Sequence, residues 1–157
     1  MPSWAKEPSI GNTLINARGE TAAEKPAFRK VFKHQRCLVL ADGFYEWKRE
    51  GKTKQPYYIR FKDQRLFAFA GLWERWEENE ADSLETCTVI TTAPNAVMEP
   101  IHHRMPVILP SKDYADRLDP SVQAIERVNA LLRPFPPEEM EAYPVSERVN
   151  NSSNRLP

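Results

Sequence analysis

Three short polar blocks in the sequence carry the residue types that acid–base chemistry needs. They are residues 16–21 (NARGET), 42–47 (DGFYEW) and 102–106 (HHRMP). They supply an Asn, a Glu and a His, each close to an Arg or an aromatic residue. Such a set is typical of a proton-transfer site beside a groove that binds anions or nucleic acid. No obvious nucleophile accompanies these residues.

Glu46 and His102 are the acid–base candidates of these blocks, and each has a plainer explanation. Glu46 lies between Tyr45 and Trp47, and partial burial against those rings would suit it to proton transfer. Strand alternation would instead place it on the solvent side. His102 falls on a predicted loop, where an imidazole exchanges protons near neutral pH or simply holds a turn by a hydrogen bond. Asn16 similarly either orients a reacting group or completes a turn.

Two arginines and two tryptophans are candidates for binding nucleic acid. Arg18 and Arg104 could each hold a phosphate through the planar guanidinium. The alternative is a structural salt bridge, for example to Glu20. Trp4 and Trp47 could stack on unpaired bases, although most tryptophans pack in a core or at its rim.

The hydrophobic pattern predicts strands first and helices later, which indicates an α+β fold. Residues 36–76 resemble a β-meander, and another strand follows it after an acidic segment that we interpret as a solvated loop. The predicted strands are 36–41, 44–48, 56–61, 66–73, 85–92 and 107–109, with a last one near residue 143, and the acidic loop is 74–82. Helices are predicted at 23–33, after an N-cap at Ser111, and from Asp119-Pro120 onward.

Composition narrows the possible functions. The 157 residues suit one domain, and the hydrophobic fraction of 41% with 28% charged residues is that of a globular protein. No apolar run reaches the roughly 18 residues of a membrane span, so no membrane association is expected. The motifs of dinucleotide-binding proteins, P-loop ATPases, zinc proteases and α/β-hydrolases are absent. No cofactor is expected.

The charge distribution and the two cysteines add little to what the composition indicates about function. The net charge is zero, but residues 1–60 hold 12 basic and 6 acidic side chains, and residues 61–157 hold 10 and 16. This asymmetry is compatible with a basic groove or with plain surface charge. Cys37 and Cys87 stand alone in apolar runs, which predicts two small buried side chains and neither a metal site nor a disulfide.

Taken together, the three blocks resemble the SOS response-associated peptidase (SRAP) family. The matching residues are N-A-R-x-E-T at 16–21, R-C-L-V-x-A-D-G-F-Y-E-W at 36–47, and T-T-A at 91–93 with I-H-x-R-M-P at 101–106. P-S-W-A-K at 2–6, P-V-S at 144–146 and V-N-N at 149–151 also fit. The resemblance runs nearly end to end. It implies one SRAP-like domain over residues 1–157, with an antiparallel β-rich core, a partly open barrel, and a few peripheral helices.

The resemblance also implies a reaction. The family recognises abasic sites in single-stranded DNA and forms a thiazolidine crosslink through a cysteine exposed when the initiator Met is removed. By that resemblance Asn16 orients the terminal amine and thiol, Glu46 protonates the sugar ring oxygen, and His102 shuttles protons. Phosphates and bases of the DNA would be held by Trp4, Arg18, Trp47 and Arg104.

One position departs from the family pattern. Position 2 is a proline, so the nucleophilic Cys and the strands expected ahead of residues 2–6 are absent. We expect either a truncated chain or a short paralogue that binds DNA without crosslinking. The retention of Asn16, Glu46 and His102 favours truncation. A chain lacking those strands is expected to expose a sheet edge and could dimerise by strand exchange.

Three functions from different classes therefore remain open. They are abasic-site crosslinking with removal of the protein's own initiator Met, non-catalytic binding of single-stranded DNA, and strand cleavage by Glu46 and His102 alone. The expected partner in each is single-stranded DNA, the expected location is the cytoplasm at the nucleoid, and no metal ion is expected.

Overall fold

Two packed β-sheets form the core of the computed structural model, which describes residues 2–77, 83–151 and 153. The strands are β1 (Asn16–Arg18), β2 (Arg36–Ala41), β3 (Phe44–Glu50), β4 (Thr53–Phe61), β5 (Phe67–Glu77), β6 (Ser83–Thr92), β7 (Met105–Pro106), β8 (Ile108–Leu109) and β9 (Met140–Pro144). The helices are α1 (Gly19–Ala22), α2 (Arg29–His34), α3 (Tyr114–Leu118) and α4 (Ile125–Ala130). Short 3₁₀ segments lie at Pro8–Thr13, Ser111–Asp113, Pro137–Glu139 and Glu147–Asn150.

The first sheet has the order β1-β6-β5-β2, with β7 beside β6 and β8 beside β5. It curls into a half-barrel. All its pairs are antiparallel except β1 with β6, where Asn16 lies opposite Val89 in a parallel ladder. The second sheet is the antiparallel set β3-β4-β9. The predicted α+β class with a β-rich, partly open barrel is confirmed, and the parallel β1 makes the first sheet mixed.

Strand β5 is buried on both faces, which explains its long apolar run. On one face Ala70 and Leu72 pack against residues of α2 and α4, including Phe32. On the other face Phe67 and Phe69 pack against the second sheet. A strand covered by helices on one side and by a sheet on the other loses the alternation of a half-exposed strand. The first sheet is therefore the middle layer of the fold.

The helices are shorter than the sequence pattern predicts. The helix predicted at 23–33 is wrong in its extent, because α1 ends at Ala22 and α2 begins at Arg29. Pro26 lies between them and has no N–H for a helical hydrogen bond. The helix predicted from Asp119 begins only at Ile125, since the Asp119 carboxylate accepts a hydrogen bond from the Ser121 N–H at 2.8 Å and forms a turn.

Two further predictions are corrected at β5 and β6. The acidic segment from residue 74 is not wholly a loop: β5 continues to Glu77, and Glu74 is buried. Trp76 holds this extension by donating a hydrogen bond from Nε1 to the Ala5 carbonyl at 2.7 Å. Residues 78–82 of the predicted loop lie outside the described residues.

Cys87 is exposed, not buried, because it faces away from the helices, and Cys37 is half-buried.

Arg36 ties two helix ends to the first sheet. Its guanidinium donates to the Arg117 carbonyl at 2.7 Å and to the Lys33 carbonyl at 2.6 Å, and also to the carbonyls of Phe32 and Asp119. These are carbonyls at the ends of α2 and α3, which lack partners within their helices. The side chain of Arg117 is fully buried beside it and donates to the Gly71 carbonyl at 2.9 Å. Burial lowers the pKa of Arg117 to about 9.

None of the described helices is long and apolar enough to cross a membrane.

We expect Arg36→Lys to destabilise the fold strongly. Lysine cannot reach four carbonyls that the planar guanidinium satisfies, and each buried acceptor left without a donor costs about 1–3 kcal/mol. The midpoint of urea unfolding should therefore fall by an amount equivalent to about 2–4 kcal/mol. Arg65→Lys is the matched control, because Arg65 pairs with Asp63 on the exposed surface and should cost at most about 1 kcal/mol. Equal losses in the two variants would contradict this role for Arg36.

Candidate active site

The three polar blocks meet at one open cleft between the two sheets. Strand β1 brings Asn16 and Arg18, β3 brings Glu46, and the segment leading into β7 brings His102 and Arg104. The cleft has a volume of about 410 Å³. Its remaining lining residues are Ala17, Phe44, Tyr45, Phe69, Val89, Thr91, Met105 and Pro106. Residues far apart in sequence therefore share one cavity.

Glu46 points to the inner side of the second sheet and not to open solvent. Its neighbour on that side, Phe44, packs edge-on against Phe69 with ring centroids 5.7 Å apart. The Glu46 side chain keeps 24% of its surface exposed, and its Oε2 lies 3.6 Å from Nδ1 of His102. Its other oxygen accepts a hydrogen bond from the Trp47 N–H at 3.1 Å. The acid and base candidates are thus adjacent and partly desolvated.

His102 sits on a turn whose geometry Asn95 holds. Oδ1 of Asn95 accepts hydrogen bonds from the N–H groups of Val97 and Met98, each at 3.1 Å. The buried Asn95 amide also donates to the Phe135 carbonyl at 2.7 Å. The His102 N–H then donates to the Met98 carbonyl at 2.9 Å. The turn fixes the backbone from which the imidazole projects into the cleft.

The imidazole of His102 contacts the backbone of the residue two positions on. Nδ1 lies 3.2 Å from the Arg104 amide nitrogen, which donates to it, and 3.1 Å from the Arg104 carbonyl oxygen. It therefore accepts from the amide when neutral and can donate to the carbonyl when protonated. The ring of His103 lies 4.4 Å from that of His102, but His103 is exposed and does not line this cleft.

Arg104 forms a salt bridge with Glu20, which is the structural alternative to phosphate binding that the sequence left open. Its guanidinium donates to both carboxylate oxygens of Glu20, at 2.6 and 2.8 Å, and to the carbonyl of Thr91 at 2.6 Å. The hydrogen bonds from Arg104 hold the pKa of Glu20 below its usual value. Glu20 and Thr91 thus anchor the residue whose backbone holds His102. The contact with Glu20 was expected from the sequence, whereas the contact with the Thr91 carbonyl was not.

Asn16 and Arg18 share one side of β1, because the buried Ala17 between them points the other way. Both side chains are exposed. Arg18 forms no hydrogen bond or ion pair with any residue in 2–77 or 83–151, and its charge acts on Glu20 only through space. A free guanidinium at the cleft mouth is available to an anionic ligand.

The two tryptophans lie outside the cleft lining. Trp47 is half-buried, donates from Nε1 to Oδ1 of Asn150 at 2.7 Å, and borders a second cleft of about 530 Å³. His102 lines both clefts, so Trp47 stands next to the site. Trp4 is 60% exposed and lines neither cleft.

The cleft offers acid–base groups, but its described walls include no cysteine or lysine. Cys37 and Cys87 are elsewhere on the first sheet, and burial raises the pKa of the Cys37 thiol to about 11. Within the described part of the chain, no three His, Cys, Asp or Glu side chains are grouped so as to hold a metal ion. The site can move protons and bind an anion. A covalent step would need a nucleophile brought into the cleft.

Comparison with known proteins extends over the whole chain. The family model "SOS response associated peptidase (SRAP)" matches residues 1–152. The abasic site processing protein YoqW of Bacillus subtilis strain 168 is 49% identical over 158 residues, covering 100% of this chain and 70% of that protein. The abasic site processing protein HMCES of Xenopus tropicalis is 38% identical over 179 residues, covering 100% of this chain and 53% of that protein.

Solved structures show the same fold. A crystal structure of a protein from Bacteroides thetaiotaomicron superposes with a TM-score of 0.88 at 35% identity, covering 96% of this chain and 68% of that one. A second, from Bordetella bronchiseptica, gives a TM-score of 0.78 at 25% identity and covers 93% and 74%. The chain therefore belongs to the SOS response-associated peptidase family, as its three polar blocks predict.

Proposed function

We propose that the cleft processes abasic sites in single-stranded DNA. The observation that carries this proposal is the 3.6 Å approach of Glu46 Oε2 to His102 Nδ1 beside the free guanidinium of Arg18. Proton transfer and anion binding are thus available within one cavity. The names of YoqW and HMCES, abasic site processing proteins, support the choice of substrate. Such a substrate is met in the cytoplasm at the nucleoid.

The chemistry begins with the sugar of the abasic nucleotide. Its ring form is a hemiacetal, which opens to an aldehyde when the ring oxygen gains a proton and the C1′ hydroxyl loses one. Glu46 in its acid form donates to the ring oxygen, and His102 accepts the hydroxyl proton. Passage of the proton from His102 to the adjacent Glu46 carboxylate then restores both groups with the aldehyde still open, so the pair acts without being consumed. Asn16, on the opposite wall, orients the group that attacks the aldehyde.

The covalent step proposed for a chain that carries a terminal cysteine uses the α-amine and the thiol of that residue. The unprotonated α-amine adds to the aldehyde carbon, loss of water gives a Schiff base, and addition of the thiol to its carbon closes the thiazolidine ring. Exposure of that cysteine requires removal of the initiator Met, which we assign to the same site. Pro2 stands at the second position of this sequence, and neither Cys37 nor Cys87 carries a free α-amine beside its thiol.

DNA binding is assigned to the charged and aromatic residues around the cleft. Arg18 holds a phosphate flanking the abasic nucleotide, and Trp47 stacks on a neighbouring base at the junction of the two clefts. Arg104 reaches a phosphate only by sharing its guanidinium with Glu20. Trp4 contacts a more distant base, since it is exposed but outside both clefts.

A second candidate is single-stranded DNA binding without chemistry. It is favoured by one specific observation: among the residues that the structure describes, no cysteine or lysine lines the cleft. The third possibility, strand cleavage by general acid–base action, uses the same Glu46 and His102.

A denaturing gel with single-stranded DNA carrying one abasic site separates these functions. We compare the chain as it stands with one extended upstream to the nearest in-frame Met-Cys. A shifted, covalent band is expected only for the extended chain, and Glu46→Gln in that chain should slow its appearance about a hundredfold. Salt-sensitive binding without a band from either chain would establish the binding module instead. Strand scission without an adduct would establish the third function.

The two arginines of the cleft should behave differently when each is replaced by glutamine. Arg18→Gln is expected to weaken binding of single-stranded DNA and to reduce the salt dependence of log K by about 0.7, the value for one phosphate contact. Arg104→Gln breaks the bridge to Glu20 and Thr91 and should lower the free energy of unfolding by about 1–3 kcal/mol. Binding titrations at several salt concentrations and urea unfolding measure the two effects. An unchanged salt slope for Arg18→Gln would remove Arg18 from the phosphate contacts.

The Glu20–Arg104 bridge should give the protein an acid-sensitive component of stability. Because the pKa of Glu20 is lowered in the folded state, its contribution is present above the unfolded-state pKa and is lost as the pH falls through the folded value. Glu20→Gln should therefore destabilise the protein at neutral pH and approach the parent in stability at low pH. Unfolding curves across that pH range test this. A constant difference between the two proteins at every pH would contradict it.

A further inference from the structure

The solvent-facing side of the second sheet combines aromatic rings with positive charge. Phe44, Ile59 and Phe61 point from this sheet into the core. The alternate residues point outward, and besides the buried Pro56 and the acidic Glu141 they form what we call the outer face: Tyr45, Trp47, Arg49, Lys54, Tyr58, Arg60 and Tyr143. An outward sheet face is ordinarily covered with mixed polar residues. Interleaved rings and cations are typical of surfaces that bind single-stranded nucleic acid.

Three tyrosines form a row across the three strands of this sheet. Tyr45 lies directly opposite Tyr58, and Tyr58 directly opposite Tyr143. Their ring centroids are 5.1 and 5.8 Å apart. Tyr45 and Tyr143 keep 39% and 36% of their surface exposed. The middle ring, Tyr58, is half-buried, so the outer two rings present most of the accessible aromatic surface of the row.

Gly43 allows the middle ring to lie close against the sheet. A Cβ at residue 43 would stand 2.3 Å from Cζ and from the hydroxyl oxygen of Tyr58. The ring therefore occupies the space that a side chain at this position would fill. A ring laid against the backbone is held in place by the strand beneath it, which leaves little conformational entropy to lose on binding.

A pair of cations lies farther along the same face. Arg49 and Lys54 are directly opposite each other in the β3–β4 ladder, and both are exposed. Neither forms an ion pair or a hydrogen bond with any residue in the described ranges. Like charges directly opposite destabilise a sheet, and an anion between them removes the repulsion. Arg60, by contrast, is paired with Glu141 at 2.9 Å and lies over the Tyr143 ring.

The outer face is continuous with the site. Tyr45 lines the cleft that holds Glu46 and His102, and Trp47 with Arg49 lines the second cleft, which shares His102. Neighbouring side chains on one face of a strand repeat about every 7 Å. A polynucleotide leaving either cleft thus meets an aromatic or cationic side chain of the outer face.

We propose that the outer face binds single-stranded DNA beyond the abasic nucleotide, with bases stacked on the tyrosine row and a phosphate held between Arg49 and Lys54. This inference rests on the proposed function, because it takes single-stranded DNA as the ligand of the adjacent cleft. It adds a site that recognises undamaged nucleotides. The protein therefore gains affinity from the length of single strand that flanks the lesion.

The test compares a short and a long ligand by fluorescence anisotropy. Both carry a tetrahydrofuran abasic analogue, which forms no adduct: one is a trimer that fills only the cleft, and the other is a thymidine 12-mer. The parent should bind the 12-mer at least about tenfold more tightly, because each stacked base contributes about 1–3 kcal/mol. Tyr58→Ser with Tyr143→Ser should remove most of that gain and leave trimer affinity unchanged.

A second variant keeps the test valid if the tyrosine variant folds poorly. Arg49→Ser with Lys54→Ser changes two exposed side chains, and the salt slope for the 12-mer should fall by about 0.7 for each phosphate that the variant no longer holds. Lys112→Ser with Arg133→Ser is the matched control, since it removes the same charge from a different groove, beside Phe135. Circular dichroism confirms that each variant is folded.

Two results would overturn the inference: no gain of affinity from trimer to 12-mer in the parent, or a gain that survives in both outer-face variants. An effect of the control equal to that of Arg49→Ser with Lys54→Ser would also overturn it, because net charge alone would then explain the binding. Failure of the proposed function gives a different result. In that case the parent would not distinguish the abasic trimer from an intact thymidine trimer.

Discussion

The packing of the second sheet onto the first is the interaction on which the site depends. Rings from β3 and β4, among them Phe44 and Phe61, interlock with Phe67 and Phe69 of β5 at centroid distances of 4.9 to 5.7 Å. This contact sets the height of β3 above the first sheet. Glu46 follows Phe44 on the inner side of β3, so the same contact decides how far its carboxylate stands from His102. A shift in the aromatic packing would separate Glu46 from His102.

The site is also supported by residues that do not line the cleft. Asn95 shapes the turn before His102, and Glu20 anchors Arg104 just after it. The histidine is thus held from both sides of its segment. Two independent anchors on a short irregular segment reduce the number of conformations that it can adopt, which is the physical meaning of a preorganised site.

The fold and the candidate site were predictable from the sequence where the types of side chain and the local hydrophobic pattern point to the same structure. The longer strands, the α+β class and the family followed from alternation, turn residues and the three polar blocks, and the structure brings Asn16, Glu46 and His102 together. The short strands β1 and β7 were not predicted. The helices were predicted too long, because Pro26 and the Asp119 carboxylate end or delay them through local hydrogen bonding. The roles of Arg36 and Asn95 were not predictable, since their partners, such as Arg117 and Phe135, lie far away in sequence. The burial of Glu74 likewise depends on the N-terminal segment that packs nearby.

The parallel pairing of β1 with β6 has a consequence for synthesis of the protein. The Thr91 hydroxyl donates to the Ala17 carbonyl across a sequence separation of 74 residues, and the His102 segment follows β6. Contacts between residues so distant form late, because a long loop must close before they can stabilise anything. A nascent chain that has emerged only as far as β5 therefore has no cleft at all. Asn16, Glu46 and His102 can share one cavity only once translation has passed the His102 segment, so a fragment released earlier lacks the candidate site.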